Sequence, residues 1–181
     1  MADISEFVKK YAEYKTTFKV TSYDDYNDTH LCLDELQENI NFDEIIANKY
    51  PNPNEYRPKS FDSVYIDNND VYCIEFKNEK NPNKKDIEDK LVDGKRELDE
   101  MLISLNIQKN DYKFIFCVVY NKFKPHSERY KRGIQSYPIE MYLKKHQENK
   151  LVDDVITEDV DFFTKQFRKK ISEDLKCEEL T

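Results

Sequence analysis

A chain of 181 residues is long enough for one domain with a core of its own, and its 37 Asp and Glu against 29 Lys and Arg leave a net charge of −8. That balance excludes a generally basic surface for polyanions, so any contact with nucleic acid has to come from a local patch. With Gly94 and Gly133 as its only glycines, the chain has no P-loop, no GxGxxG dinucleotide fingerprint and no GxSxG nucleophile elbow.

In chain order, "MADISEFVKK" lacks the apolar core of a secretory leader, and no apolar run approaches the length of a membrane helix. A protein of the cytoplasm or nucleus, with no membrane partner, is expected. Ile4, Phe7, Val8, Tyr11, Tyr14 and Phe18 recur at helical spacing, with Asp3 and Glu6 arranged as a capping box. "SYDDYNDTH" reads as a polar loop that lacks the Gly and terminal Glu of an EF-hand. A second helix is expected from about Leu31 to Ile40, and a short third over "FDEIIANKY", stopped by Pro51. "PNPNEYRP" reads as extended loop.

A β-hairpin follows in "KSFDSVYIDNNDVYCIEFKNEK", then a helix from about Lys84 to Ile107 with Ile87, Leu91, Gly94, Leu98, Met101, Leu102 and Leu105 on one stripe. Gly94 on that stripe points to a close approach to the sheet. "YKFIFCVVY" is apolar on both faces, as in a central strand covered on both sides. Strand, long helix and apolar strand together predict a parallel crossover unit. After a loop, "SYPIEMYLKK" reads as a helix with Pro138 in its first turn, "LVDDVI" as a short edge strand, and Val160, Phe163, Phe167 and Ile171 as one side of a last helix. The expected fold is α/β: a single domain, 1–181, with a helical region over 1–55 and a small mixed sheet flanked by helices over 56–181. Cys32, Cys73, Cys117 and Cys177 form no CxxC pair and read as reduced structural thiols.

The hairpin carries charge where buried strands should have none. With the turn centred on Asn68-Asn69, Ile66 faces Val71, Val64 faces Cys73, and Asp62 faces Glu75. Opposed side chains share a face, about 5 Å apart at Cβ, and Lys77 projects from that face as well. The other face, with Phe61, Ser63, Tyr65, Tyr72, Ile74 and Phe76, is almost wholly apolar. Two carboxylates so placed repel and lose hydration unless a proton, a cation or a divalent metal compensates. Mg²⁺ or Mn²⁺ suits two carboxylates at this separation, and with Lys77 alongside such a site can polarise water and stabilise an anionic transition state. The spacing alone is weak evidence, since Glu13–Lys15, Glu88–Lys90 and Glu148–Lys150 repeat it. Only Glu75–Lys77 adds an apolar strand and an upstream carboxylate in hairpin register. The competing reading is a cross-strand ion network at the sheet end.

Asp62 followed by Glu75-Phe76-Lys77, after a hairpin and before a long helix, resembles the PD-(D/E)XK nuclease superfamily. The segment is also similar to the cap-snatching endonuclease domains of segmented negative-strand RNA viruses. The resemblance runs from Pro58 to Ile107, with Phe61 standing where the motif name has Pro. It implies a restriction-endonuclease-like core, Asp62 and Glu75 as metal ligands, the carbonyl of Phe76 as a further one, and Lys77 as the catalytic lysine. It further implies hydrolysis of phosphodiester bonds in RNA or DNA to leave a 5′-phosphate. A further ligand would come from upstream, with His30, Glu35 and Glu38 as candidates; His30 would favour Mn²⁺.

Lys90 and Lys95, on the helix after the motif, could approach a phosphate or be ordinary surface lysines. Lys122, Lys124, Arg129, Lys131 and Arg132 stand against Glu128 alone in the loop 122–132, with Phe123 and Tyr130 interleaved as in single-strand stacking platforms. The function expected is a metal-dependent endonuclease, on its own or within a larger polymerase or nuclease assembly. The alternative is a catalytically inactive module of the same fold that binds protein or nucleic acid.

Overall fold

Asn68 and Asn69 turn the chain between β5 (Ser63–Asp67) and β6 (Asp70–Lys77). Asn68 takes a φ of 52°, a left-handed conformation that Asn tolerates better than most residues. The register is the one the turn dictates: Ile66 opposite Val71 and Val64 opposite Cys73. The computed structural model describes residues 3–78, 82–121 and 139–160. From β6 the chain passes through α4 (Lys84–Ser104) into β7 (Lys113–Tyr120), which pairs with β6 in parallel. Helical residues 139–148, here α5, lead to β8 (Asp154–Asp159), parallel to β7 at the sheet edge.

The region 1–55 departs from the helical expectation. Among the described residues there, only α1 (Ser5–Lys10), the single turn α2 (Phe18–Thr21) and α3 (Phe42–Lys49) are α-helical. Between them lie β1 (Lys15–Thr17), β2 (Tyr23–Asp24), β3 (Thr29–His30) and β4 (Glu38–Asn41). β1 and β4 extend the main sheet, whose order is β1-β4-β5-β6-β7-β8, while β2 and β3 form a separate ribbon. The helix expected over 31–40 is absent. Asp34 accepts the backbone N–H groups of Leu36 and Gln37, an Asx turn that competes with helical bonding, and Leu33 and Leu36 stay exposed. The first helix likewise ends at Lys10: the β-branched Thr16 and Thr17 pair with Asn39 and Glu38 instead. Asp3 caps Ser5 rather than closing a box with Glu6. α3 begins at Asn41, whose side chain accepts the Glu44 N–H, and ends before Pro51.

The sheet is covered on both faces. On one, Val64, Cys73, Phe116 and Val118 pack with Phe42 and Ile46 of α3, Leu91 and Leu98 of α4 and Leu143 of α5. On the other, Tyr65, Tyr72, Ile74, Cys117 and Val119 meet Phe18, Leu31 and Cys32. Every residue of β7 after Lys113 is buried. Phe61 joins the α4 side, not the opposite face its alternation predicts. The expected pairing of Asp62 with Glu75 is not formed: the regular register ends at Ser63 opposite Ile74, and the chain bends at Asp62, whose N–H donates to the carbonyl of that same Ile74 at 3.0 Å. Gly94 answers that bend, because a Cβ there would lie 2.7 Å from the Phe61 ring. The last expected helix lies outside the described residues from 161 onward. Cys32, Cys73 and Cys117 are free and buried, and Cys177 lies outside the described residues. Among the described residues no helix is long and apolar enough to cross a membrane.

Candidate metal centre

Three elements meet at the open end of the hairpin. The bend before β5 presents Asp62, β6 presents Glu75 and Lys77, and the first turns of α4 present Asp86 and Lys90. The Asp62 backbone is fixed on both sides, its N–H to Ile74 and its carbonyl accepting the Phe42 N–H at 3.1 Å. Its carboxylate accepts the Phe76 N–H at 2.6 Å, which holds one oxygen against β6. Glu75 is fully buried. One of its oxygens, Oε1, lies 2.9 Å from the Lys77 ammonium and 2.6 Å from that of Lys90. Lys90 Nζ is also 3.8 Å from Asp62 Oδ1, so both carboxylates converge on one cationic nitrogen. Lys77 reaches Asp86 at 3.2 Å, and Asp86 continues to Lys59 at 2.8 Å.

The second oxygen of Glu75, Oε2, is buried without a hydrogen-bond partner. A buried unpaired carboxylate oxygen is costly, and an oxygen-seeking cation is one way to satisfy it. Asp62, Glu75, Phe76, Lys77 and Lys90 line a cavity of about 270 Å³ whose far wall is the turn after β2, including Asp24, Asp25 and Tyr26. The electrostatics follow from this crowding. Burial and the neighbouring Glu75 charge push the Asp62 carboxyl up to about 8, while Lys90 and the Phe76 N–H oppose the rise. Burial alone would lower the Lys90 ammonium, but Glu75 and Asp62 outweigh it and raise it above its ordinary range. Lys77 shifts upward for the same reason, with Glu75 overcoming its burial.

Asp62, Glu75, Phe76 and Lys77 are thus brought together. The upstream candidates are not. His30 stands on β3, its Nδ1 2.7 Å from the Lys19 carbonyl and its ring against Tyr23. Glu35 pairs with Lys19, and Glu38 with Lys15 at 3.3 Å. None of the three lines the cavity. The Asx turn at Asp34 prevents the helix that would have carried Glu35 and Glu38 toward the hairpin. Among the described residues no three His, Cys, Asp or Glu side chains form a ready-made metal cluster.

Lys95 is also no phosphate contact. It is 2% exposed, bound to Asp99 at 2.6 and 2.7 Å and packed on the Phe114 ring. Lys90 is neither a phosphate-facing nor an ordinary surface lysine, but the bridge between the two acids. Its signal was available in the sequence: a lysine one residue from Leu91 on the buried stripe of a helix that must cross the charged strand end. Lys124, Arg129, Lys131 and Arg132 lie outside the described residues. Asp24 reaches the site through a different route. Its carboxylate accepts the side-chain amide of Asn78, the residue after Lys77, at 2.7 Å and caps the turn through the N–H groups of Tyr26 and Asn27. The "SYDDYND" segment therefore forms the cavity wall rather than a remote loop. No family model, curated protein or solved structure matches this chain.

Proposed function

We propose that this protein is a metal-dependent endonuclease that hydrolyses phosphodiester bonds in nucleic acid, built on a restriction-endonuclease-like core of the PD-(D/E)XK kind. The observation that carries the reading is the unpartnered Oε2 of the buried Glu75, on a cavity wall shared with Asp62 and Lys77. Asp62, Glu75 and the Phe76 carbonyl would hold the ion. When bound, Mg²⁺ or Mn²⁺ would supply Lewis-acid polarisation and lower the pKa of a water nucleophile.

The chain's own groups do the rest. The Phe76 N–H fixes the Asp62 carboxylate through Oδ2, and its other oxygen, Oδ1, lies 3.8 Å from the Lys90 ammonium. Glu75 and Asp86 hold the Lys77 ammonium, which is only 10% exposed, at the rim where a phosphate would enter. There it would orient the attacking water and offset part of the negative charge that develops on the phosphoryl oxygens. Burial strengthens that interaction relative to water. The similarity to cap-snatching domains makes single-stranded RNA the first substrate to try, with single-stranded DNA beside it.

Cleavage of both should require Mn²⁺ or Mg²⁺, and Asp62→Ala and Lys77→Ala should each lower the rate by about 100-fold or more. Activity that survives both substitutions would reject the reading. One observation favours the second reading, an inert module that binds protein or nucleic acid: Lys77, Lys90, Asp86 and Lys59 already form a continuous ionic network with Glu75. Such a module would show no melting shift specific to divalent metal.

A further inference from the structure

Lys90 is the only lysine among the described residues within 4 Å of both candidate acids, 2.6 Å from Glu75 Oε1 and 3.8 Å from Asp62 Oδ1. Lys77 touches Glu75 but not Asp62, and it is anchored separately by Asp86. The two lysines are thus unequal: one stands beside the acid pair, and the other joins it. We propose that the Lys90 ammonium is a resident surrogate for the divalent cation, occupying the carboxylate seat in the metal-free protein and leaving it when metal binds. This rests on the metal-dependent reading above.

The physical argument is charge and space. The acid pair is half-buried to buried, and once both members are ionised their mutual repulsion needs a positive charge between them. A divalent ion held by Glu75 Oε2 and by Asp62 would compete with Lys90 for Asp62 Oδ1 and lie on the same Glu75 carboxylate, and two cations so close would repel strongly away from bulk water. Metal and Lys90 therefore exclude one another. The departure is feasible because Lys90 sits on α4 with a flexible four-carbon stem and a side chain already 23% exposed, bordering the cavity. Lys77, pinned from both sides, stays. The site then binds metal more weakly than its carboxylates alone would, and the metal-free fold is protected from their repulsion.

The test is Mn²⁺ titration by calorimetry on the full chain, comparing wild type with Lys90→Met, Lys90→Arg and Asp62→Asn. Lys90→Met should bind Mn²⁺ about tenfold tighter than wild type, the equivalent of removing one competing hydrogen bond to a charged group. Lys90→Arg, which keeps the competing charge, should stay close to wild type, and Asp62→Asn should abolish binding. If Lys90→Met binds no tighter while wild type still binds through Asp62, the surrogate role is wrong and the nuclease reading stands. If no variant binds Mn²⁺ saturably, both are wrong. Should Lys90→Met fail to fold, the wild type decides through its ¹⁵N-labelled lysine Nζ signals under Mg²⁺ titration. The Lys90 signal should lose its ion-paired shift and exchange protection in step with saturation, while the Lys77 signal keeps both; an unchanged Lys90 signal at saturation would overturn the proposal.

Discussion

α4 borders two groups of buried charge, and only one of them is complete. Toward its C-terminus, Lys95 is saturated by Asp99, which also accepts the Tyr112 hydroxyl at 2.6 Å, and its ammonium rests 4.7 Å from the Phe114 ring centre. Glu97, 2% exposed, accepts Lys49 at 2.7 Å on one oxygen and the Tyr50 hydroxyl at 3.1 Å on both. Toward the N-terminus, Glu75 is just as buried, yet two ammonium groups crowd one of its oxygens and nothing meets the other. The saturated group is a cross-link between helix and core. An unsaturated carboxylate beside a cavity costs stability and leaves coordination capacity open, as expected where a ligand completes the structure.

If that contrast is right, the two groups respond to different perturbations. The largest effect should come from Asp99→Ala, which strands the buried Lys95 ammonium. Removing one partner of a buried ion pair costs about 3–4 kcal/mol, so the melting temperature should fall by about 10 °C. A loss below about 1 kcal/mol would mean that Lys95 finds water and is not a cross-link. Next comes metal. Mn²⁺ at about 100 times its Kd should stabilise wild type by about 2.7 kcal/mol, or roughly 5–10 °C. The same shift should survive in Asp99→Ala and vanish in Asp62→Asn and Glu75→Gln. A shift that depends on Asp99 would erase the distinction between the two groups.

The pH response should be somewhat smaller. An unfolded Asp releases its proton near pH ~3.9, whereas the folded Asp62 carboxyl holds it up to about 8. Between those values the folded state carries the extra proton, so stability falls as pH rises through the window and is fully retained only below it. Because 24% of the side chain meets solvent, the loss between about pH 5 and 8 should be about 2 kcal/mol rather than the full linkage value. Urea unfolding across that range should show this slope in wild type and a nearly flat profile at that position in Asp62→Asn. Equal slopes in both would mean that Asp62 ionises freely beside Glu75.

The contrast also separates what the sequence makes legible from what it hides. The hairpin was readable as far as Ser63 because a two-residue turn fixes the pairs beside it, Val64 with Cys73 and Ser63 with Ile74; Asp62 meets Glu75 through the bend beyond that register. The crossover was readable because β7 is apolar on both faces and α4 has one continuous stripe. The segment 15–41 was not. Its strands are two to four residues long, too short for an alternation to register, and β1 and β4 are held by pairing partners distant in the chain. Leu31 and Ile40 suggested a helical face, but an aspartate turn between them decided the backbone. The bend at Asp62 was equally hidden, because a single backbone bond to Ile74 turns Phe61 to the other side of the sheet. Lys90 and Lys95 differ by five positions on one helix: the acid that Lys95 meets, Asp99, lies one turn further along the same helix, whereas the acid that Lys90 meets, Glu75, lies on β6.

Gly94 lies between these two charged groups on α4 and offers the finest test of how tightly the site is built. Alanine there gains about 1 kcal/mol in helix propensity, but its Cβ would meet the Phe61 ring at 2.7 Å. That ring cannot retreat easily: it is fully buried, stacked 4.4 Å from Phe42, and backed by Phe114 and Phe116 on the sheet side. Overpacking of this kind costs about 1–3 kcal/mol, so Gly94→Ala should lose about 1 kcal/mol net and about 3 °C of melting temperature. Phe61 is bonded directly to Asp62, and the strain should pass along the backbone into the bend that aims the carboxylate. Mn²⁺ affinity should therefore weaken by about threefold, under 1 kcal/mol, although residue 94 touches no candidate ligand. A variant more stable than wild type would show that the Phe61 ring moves aside at no cost, and that the bend at Asp62 is set by its hydrogen bonds to Ile74, Phe76 and Phe42 rather than by the packing behind it.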